Sequence, residues 1–274
     1  MNGSGLDLGI TLSTPLSTTL LNTVKQIAGL DDISIDLGLT ESIGYASRTN
    51  DASPWKGGAR IRHTYSGGYS ICSSGFAVLS GSSGRLLTAR HCDTSADRPV
   101  KDGAGTQIAP GGSSVSGKAA IDSLLIDPSA SPATTPKVYY GGYASTYTVK
   151  NWYSNWVGDP VCSSGASTGA HCGTVYDDGQ VITFNGTSVN VIQVKAASGS
   201  IIGGQGDSGG PMYQQVTGGV QARGILLGPD TAYAQTTSCG SVNPDVSPVN
   251  CSRYINYVPI STILNSWGVS LEVG

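Results

Sequence analysis

From residue 57 onward, short β-branched and aromatic runs alternate with clusters of Gly, Ser, Asn or Pro. "GFAVLS" (75–80), "RLLTAR" (85–90), "IDSLLI" (121–126), "KVYYGGY" (137–143), "VITFNG" (181–186), "NVIQVK" (190–195) and "ARGILLG" (222–228) are such runs. Short apolar segments punctuated this densely predict an all-β barrel or sandwich. The proline-rich "DPSASPATTPK" (127–137) reads as a linker dividing the region into two comparable parts. One helix is predicted at the end, "VPISTILNSWG" (258–268), with Pro259 near its start and Gly268 as its stop.

The first ~55 residues have a different texture. Leu6, Leu8, Ile10 and Leu12 alternate as in a strand. A helix is predicted from Thr14-Pro15, with Leu16, Leu20, Val24 and Ile27 on its apolar side and Gly29 near its end. Ile33, Ile35, Leu37 and Leu39 alternate again. The chain therefore divides into an α/β-like extension over 1–55, a first β unit over 56–130 and a second over 131–274 that carries the helix.

Bulk numbers narrow the function classes. The 274 residues carry only 12% charged side chains and a formal net charge of −3. No basic stripe points to nucleic acid, and no apolar run approaches the ~18 residues of a membrane span. Met1 opens directly onto polar residues, so any leader is expected to be absent or already removed. Cys72, Cys92, Cys162, Cys172, Cys239 and Cys251 suit an oxidising compartment and hence a secreted protein. Sequential pairing is the simplest of their possible connectivities. No C-x-x-C occurs and no metal or other cofactor is expected.

"IIGGQGDSGGPMY" (201–213) holds a lone Ser208 among glycines. As a nucleophile, Ser208 needs backbone N–H groups close to a substrate carbonyl, and glycines allow that approach. It also needs a base, and the base needs an orienting acid. The histidines are His63, His91 and His171, all before Ser208. G-D-S-G-G also fits the G-x-S-x-G elbow of α/β-hydrolases, but that fold places its histidine after the serine. His91 follows an apolar strand in "LLTARHC"; His63 and His171 lie in polar stretches and read as solvent-exposed. Between His91 and Ser208, most aspartates sit in polar turns. Asp122 lies among Ile121, Leu124, Leu125 and Ile126, where a carboxylate is costly without donors. The order His91, Asp122, Ser208 is that of the chymotrypsin-type triad.

"LLTARHC", "IDSLLI" and "GDSGGP" together resemble the chymotrypsin-like serine peptidases. "VCSSGASTGAHCGTV" (161–175), "GGYSICSSGFAV" (67–78) and "YVPISTILNSWGVSL" are similar to the secreted bacterial branch, the streptogrisins and α-lytic protease. The resemblance covers roughly residues 57–274. It implies two six-stranded antiparallel β-barrels with the site between them. It implies a monomeric, secreted endopeptidase acting on polypeptide, with His91 as base, Asp122 as its orienter and Ser208 as nucleophile. The N–H groups of Gly206 and Ser208 would form the oxyanion hole. An inactive homologue that binds polypeptide, and an esterase on the same triad, are the alternatives.

The chain also departs from that branch. Arg90 replaces a small residue before the histidine. Ser163 stands where an arginine often pairs with the acid beside the serine, so the cation for Asp207 is not evident. Ile202 replaces a cysteine at the expected base of the primary pocket, and Leu227, Gly228 and Pro229 form its expected wall. Ile202 predicts cleavage after uncharged, apolar residues, unless Asp230 or Asp245 reaches the pocket. Arg90 is a candidate to satisfy Asp122 where Leu227 replaces a donor.

Overall fold

The chain divides into two units, Met1–Gly44 and Tyr45–Gly274. The computed structural model describes residues 46–140, 144–233, 236–239 and 249–274, with the main chain alone for 236–239 and 249. The strands and helix predicted before residue 40 lie outside the described residues, as does Asp245. Residues 46–55, grouped by texture with the extension, belong to the second unit.

The described residues are mostly strand, and the elements begin with β1 (Trp55–Gly57), β2 (Arg60–Tyr65) and β3 (Gly68–Ser73). β4 (Ala77–Ser80), β5 (Ser83–Ala89), β6 (Val100–Asp102), β7 (Gln107–Ala109), β8 (Val115–Lys118) and β9 (Ser123–Ile126) complete the first half. β2–β9 form two sheets, ordered β3-β2-β6-β7 and β4-β5-β9-β8. Ile61, Leu86, Val100, Ile108, Leu124 and Ile126 fill the space they enclose.

After β10 (Thr134–Tyr139) and β11 (Thr146–Trp152) come β12 (Pro160–Gly165), β13 (Gly169–Phe184) and β14 (Thr187–Lys195). β15 (Gly203–Gly204), β16 (Pro211–Val216), β17 (Gly219–Pro229), β18 (Thr236–Cys239), β19 (Val249–Ser252) and β20 (Tyr254–Pro259) follow. β12-β13-β14-β20-β17-β16 closes on itself, because β17 pairs with both β16 and β20. All six pairings are antiparallel, as a six-stranded barrel requires. The two halves share a further cluster in which Phe76, Val78, Leu87 and Ile121 meet Val138, Tyr213, Val220 and Ile260. Each such fully buried side chain contributes roughly 1.5–3 kcal/mol by leaving water.

The helix α1 (Ile260–Trp267) begins after Pro259 and stops at Gly268, which takes a φ of 64°. Ile260, Ile263 and Leu264 are its buried face, the i, i+3, i+4 stripe expected of an amphipathic helix. β21 (Ser270–Leu271) then returns to pair with β4. The predicted linker also contributes to the sheet: its last residues enter β10, which pairs with β1. Among the described residues no helix is long and apolar enough to cross a membrane.

Candidate active site

β5 and β9 are antiparallel neighbours in the register Leu86↔Ile126 to Ala89↔Ser123. The residues just beyond those paired ends must therefore meet. Arg90–Cys92 forms a 3₁₀ turn directly after β5, and Asp122 directly precedes β9. His91 Nδ1 lies 2.6 Å from Asp122 Oδ2, and the His91 backbone N–H donates to Asp122 Oδ1 at 2.9 Å. The Arg90 N–H donates to the Asp122 carbonyl at 3.0 Å. Asp122 is not inside the apolar strand, as the sequence pattern suggested. It caps the turn Ala119–Ile121 with φ at 38°, a left-handed conformation held by these contacts. A disulfide Cys72–Cys92 ties the turn to β3. The Arg90 guanidinium donates to the Thr94 carbonyl at 2.8 Å, so only the backbone of Arg90 binds Asp122.

Ser208 belongs to a second, tighter construction. Gly206 has φ at 90°, and a Cβ there would overlap Ser167 Oγ. Gly209 has φ at 82°, and its N–H donates to the Leu226 carbonyl at 2.8 Å. Neither the Gly206 nor the Ser208 N–H has an acceptor among the described residues. Two such N–H groups on one loop suit a developing oxyanion.

Asp207, between them, is fully buried. Its Oδ1 accepts from the Ser167 and Thr168 N–H groups at 2.9 and 3.0 Å. Its Oδ2 accepts from Thr168 Oγ1 at 2.5 Å and from the Gly204 N–H at 2.8 Å. Burial nevertheless raises the carboxyl above its ordinary range. Thr168 is held by its own carbonyl, which is 2.8 Å from His171 Nε2. The disulfide Cys162–Cys172 closes this loop. Cys251 is disulfide-bonded too; the expected partner Cys239 has its side chain outside the described residues.

One open cavity of about 290 Å³ brings the two constructions together, since both His91 and Ser208 line it. Leu227, Gly228 and Pro229 line it as well. Ile202 does not: its side chain is buried in the core with Val161, Val175 and Met212, and Gly203-Gly204 present their backbone to the cavity instead. The buried side chains of the lining are Leu226, Leu227, Ser252 and Ile255. Ser252 sits there because β19 pairs with β15. Asp230 is engaged elsewhere, accepting from Tyr176 Oη at 2.6 Å and Gln193 Nε2 at 2.9 Å. Among the described residues, His91 is the only titratable side chain of the lining.

Three residues of consequence were missed or misplaced by the sequence pattern. Phe184 lines the cavity and meets the His91 ring edge-on, centroids 5.2 Å apart. The tight turn at Asn185 (φ 48°) and Gly186 (φ 76°), an Asn-Gly hairpin signal, puts it there. His63, read as exposed, is completely buried, and burial lowers it to about 4. It lies in the middle of β2, which pairs on both edges. Arg48, read with the extension, is completely buried as well. His171 is half-buried rather than exposed.

No protein-family model matches the chain. Streptogrisin-C of Streptomyces griseus is 28% identical over 262 residues, which are 92% of this chain and 49% of that relative. The chain thus spans about half the length of the curated relative it matches. Among solved structures, Thermobifida fusca protease A is 26% identical with a TM-score of 0.53, covering 80% of this chain and 98% of that one. A glutamic-acid-specific serine protease with a histidine triad in substrate binding is 22% identical with a TM-score of 0.57, covering 79% and 100%. The α-lytic protease homologue N4 is 19% identical with a TM-score of 0.55, covering 78% and 97%.

Proposed function

We propose that this chain, with the fold of the chymotrypsin-like bacterial serine proteases, is a secreted endopeptidase that cleaves through an acyl-enzyme on Ser208. The observation that carries the reading is the His91–Asp122 contact of 2.6 Å at the rim of a cavity that Ser208 also lines. A proton kept on Nδ1 and donated in a hydrogen bond to the Asp122 carboxylate leaves the Nε2 lone pair of His91 free to take the Ser208 proton. The imidazolium so formed is stabilised by the Asp122 carboxylate and later protonates the leaving amine. The Gly206 and Ser208 N–H groups receive the oxyanion, each worth on the order of 3 kcal/mol in the transition state.

The cavity supports a preference for an uncharged side chain on the acyl side of the scissile bond. Leu226, Leu227 and Ile255 supply apolar wall, and Gln205, Asn250 and Ser252 are polar but uncharged. A desolvated Lys, Arg or Glu would find no counter-charge among these residues. Apolar contact there gains ~25 cal/mol per Å². On its change of texture alone, the extension over residues 1–55 fits a remnant of a pro-region, less residues 46–55, which belong to the second unit.

The test is labelling of Ser208 by an organophosphonate, followed by a panel of peptide anilides varied at one residue. We expect labelling, and fastest turnover after small or medium apolar residues. An unlabelled protein with an intact fold would favour an inactive binding homologue. A preference for Lys or Arg would overturn the specificity.

A further inference from the structure

Among the described residues, the carboxylate of Asp207 is met by neutral donors: two N–H groups and a hydroxyl from Ser167 and Thr168, and the Gly204 N–H. A fully buried charge needs an opposite charge nearby, or it relocates or neutralises. Ser163 does not supply one, since its hydroxyl donates to the Ile202 carbonyl at 2.5 Å. The nearby cation comes from far upstream. Arg48 is completely buried, and its Nη1 donates to the carbonyls of Gly58 and Gly165 at 2.7 and 2.9 Å and to Ser164 Oγ at 2.9 Å.

Gly165 joins the two charges. Its carbonyl accepts from Arg48, while a Cβ on its other side would overlap the Asp207 carboxylate. Cation and anion are thus one residue of β12 apart, and the Asp207 charge acts electrostatically on Arg48. The two residues after Gly165–Ala166 are Ser167 and Thr168, which grip Asp207. Holding Gly165 therefore fixes the register of that grip.

Arg48 is itself built in. Its carbonyl accepts from the Arg60 N–H at 2.7 Å. Three residues on, Asp51 pairs with Lys56 Nζ at 2.9 Å and accepts from Tyr139 Oη at 2.8 Å. A Cβ at Gly103 would overlap the Thr49 carbonyl. Residues 48–56 are a wedge with the guanidinium at its inner edge.

We propose that Arg48 is the positioning residue of the nucleophile loop: its buried guanidinium neutralises Asp207 across Gly165 and so keeps the Gly206 and Ser208 N–H groups aimed into the cavity. The active species then retains residues 48–56, and a cut between Arg48 and Trp55 disables it. This rests on the peptidase reading above.

The test uses the full chain with Arg48→Lys, Arg48→Gln and Arg48→Met. Arg48→Gln and Arg48→Met should lower kcat roughly a hundredfold or more, the scale of losing one oxyanion donor, while KM moves far less. Arg48→Lys keeps the charge and should recover at least tenfold of that loss. Equal activity of the Lys and Met variants, or wild-type kcat in a folded Arg48→Gln, overturns the proposal. A second readout needs no turnover. Amide hydrogen exchange over residues 203–210 should accelerate in Arg48→Met and return towards wild type in Arg48→Lys; unchanged exchange in both overturns it. A wild-type protein that Ser208-directed phosphonate fails to label defeats the peptidase reading, and the exchange experiment then decides Arg48 alone.

Discussion

The two sides of the cleft are built differently. The side proposed to hold the base is local: β5 and β9 are paired neighbours, and their register brings His91 to Asp122. The nucleophile side is assembled from remote pieces. The Ser208 loop depends on Ser167 and Thr168 from the Cys162–Cys172 loop, on Ser73, whose N–H donates to the Ser208 carbonyl at 2.9 Å, and on Leu226 of β17. The base needs one ring in one place, which a sheet register can provide. On the proposed reading, the nucleophile side must keep two N–H groups unsatisfied and aimed, which the loop's own bonds cannot do. Distant segments supply the constraint instead, and with it the points where this side can fail.

If both sides serve one reaction, removing either partner should cost the same. Ser208→Ala and His91→Ala are each expected to lower kcat on the order of 10⁶-fold, and the double variant to lose no more than either. Additive losses would mean that the two side chains do not act together. Thermal unfolding should be nearly unmoved in both, since His91 and Ser208 are only half-buried.

The two disulfides whose partners are both described separate stability from function. Replacing Cys72 and Cys92, or Cys162 and Cys172, by alanine pairs should cost about 3 kcal/mol in either case by the loop-entropy estimate. Only the second pair holds the loop that grips Asp207. Below the melting range, phosphonate labelling of Ser208 should slow in the Cys162/Cys172 variant and stay near wild type in the Cys72/Cys92 variant. Equal slowing would mean that the base side is as dependent on its staple as the nucleophile side.

How much of this was legible in the sequence follows the same division. "LLTARHC" and "IDSLLI" are strands leading into and out of a site, so the His91–Asp122 pairing and the strands β5 and β9 could be read from local pattern. Strand alternation in β13, β14 and β17 and the cap at Gly268 were equally readable. Arg48 was not, because nothing in "ASRTNDASP" marks which residue turns inward; only packing against Gly58, Ser164 and Gly165 decides it. Ile202 was misplaced for a related reason. Counting back from the nucleophile fixes a position along the chain, but which face of the backbone meets the cavity depends on the pairing of Gly203 with Ser252. His63 read as exposed because its neighbours are polar; that β2 pairs on both edges is a tertiary fact. The Asn-Gly turn that delivers Phe184 was visible, but not where a hairpin of that length would point.

The base side has its own weak point, which pH should expose. His63 is buried and held near 4, chiefly by desolvation, with Arg98 and His91 adding to the effect and Asp93 opposing it. Its ring nitrogens have no hydrogen-bond partner among the described residues. Its native pKa is below the ordinary value, so between pH 6.5 and 4 the unfolded chain binds a proton that the native state refuses. Stability is full above that window, falls as pH drops through it, and is flat in this term below it. The loss should be about 2–3 kcal/mol by pH 4. Urea unfolding across the window should show the slope, and His63→Leu should remove it. A His63→Leu variant as acid-sensitive as wild type would move the weakness to another group.

The smallest effect belongs to the residue that joins the two sides. Phe184 hangs from the tip of the β13–β14 hairpin, on the nucleophile side, yet it touches His91. The ring planes meet at 71°, so the edge of one ring faces the other. Such pairs contribute about 0.5–1.5 kcal/mol beyond the area they bury. An edge contact of this kind would limit the swing of the imidazole. If the base needs that restraint, Phe184→Ala should lower kcat/KM roughly two- to tenfold, the same energy expressed as a rate. Phe184→Leu keeps the apolar bulk without the ring and should fall between the two. Because Phe184 also lines the cavity, part of the loss should depend on the substrate. Ester and anilide substrates sharing one side chain but differing in length on the acyl side will divide the two roles. A loss confined to longer substrates makes Phe184 a binding wall, whereas an equal loss in all of them makes it the brace of His91. If Phe184→Ala matches wild type on every substrate, the hairpin contributes nothing to the base, and the two sides meet only at the substrate.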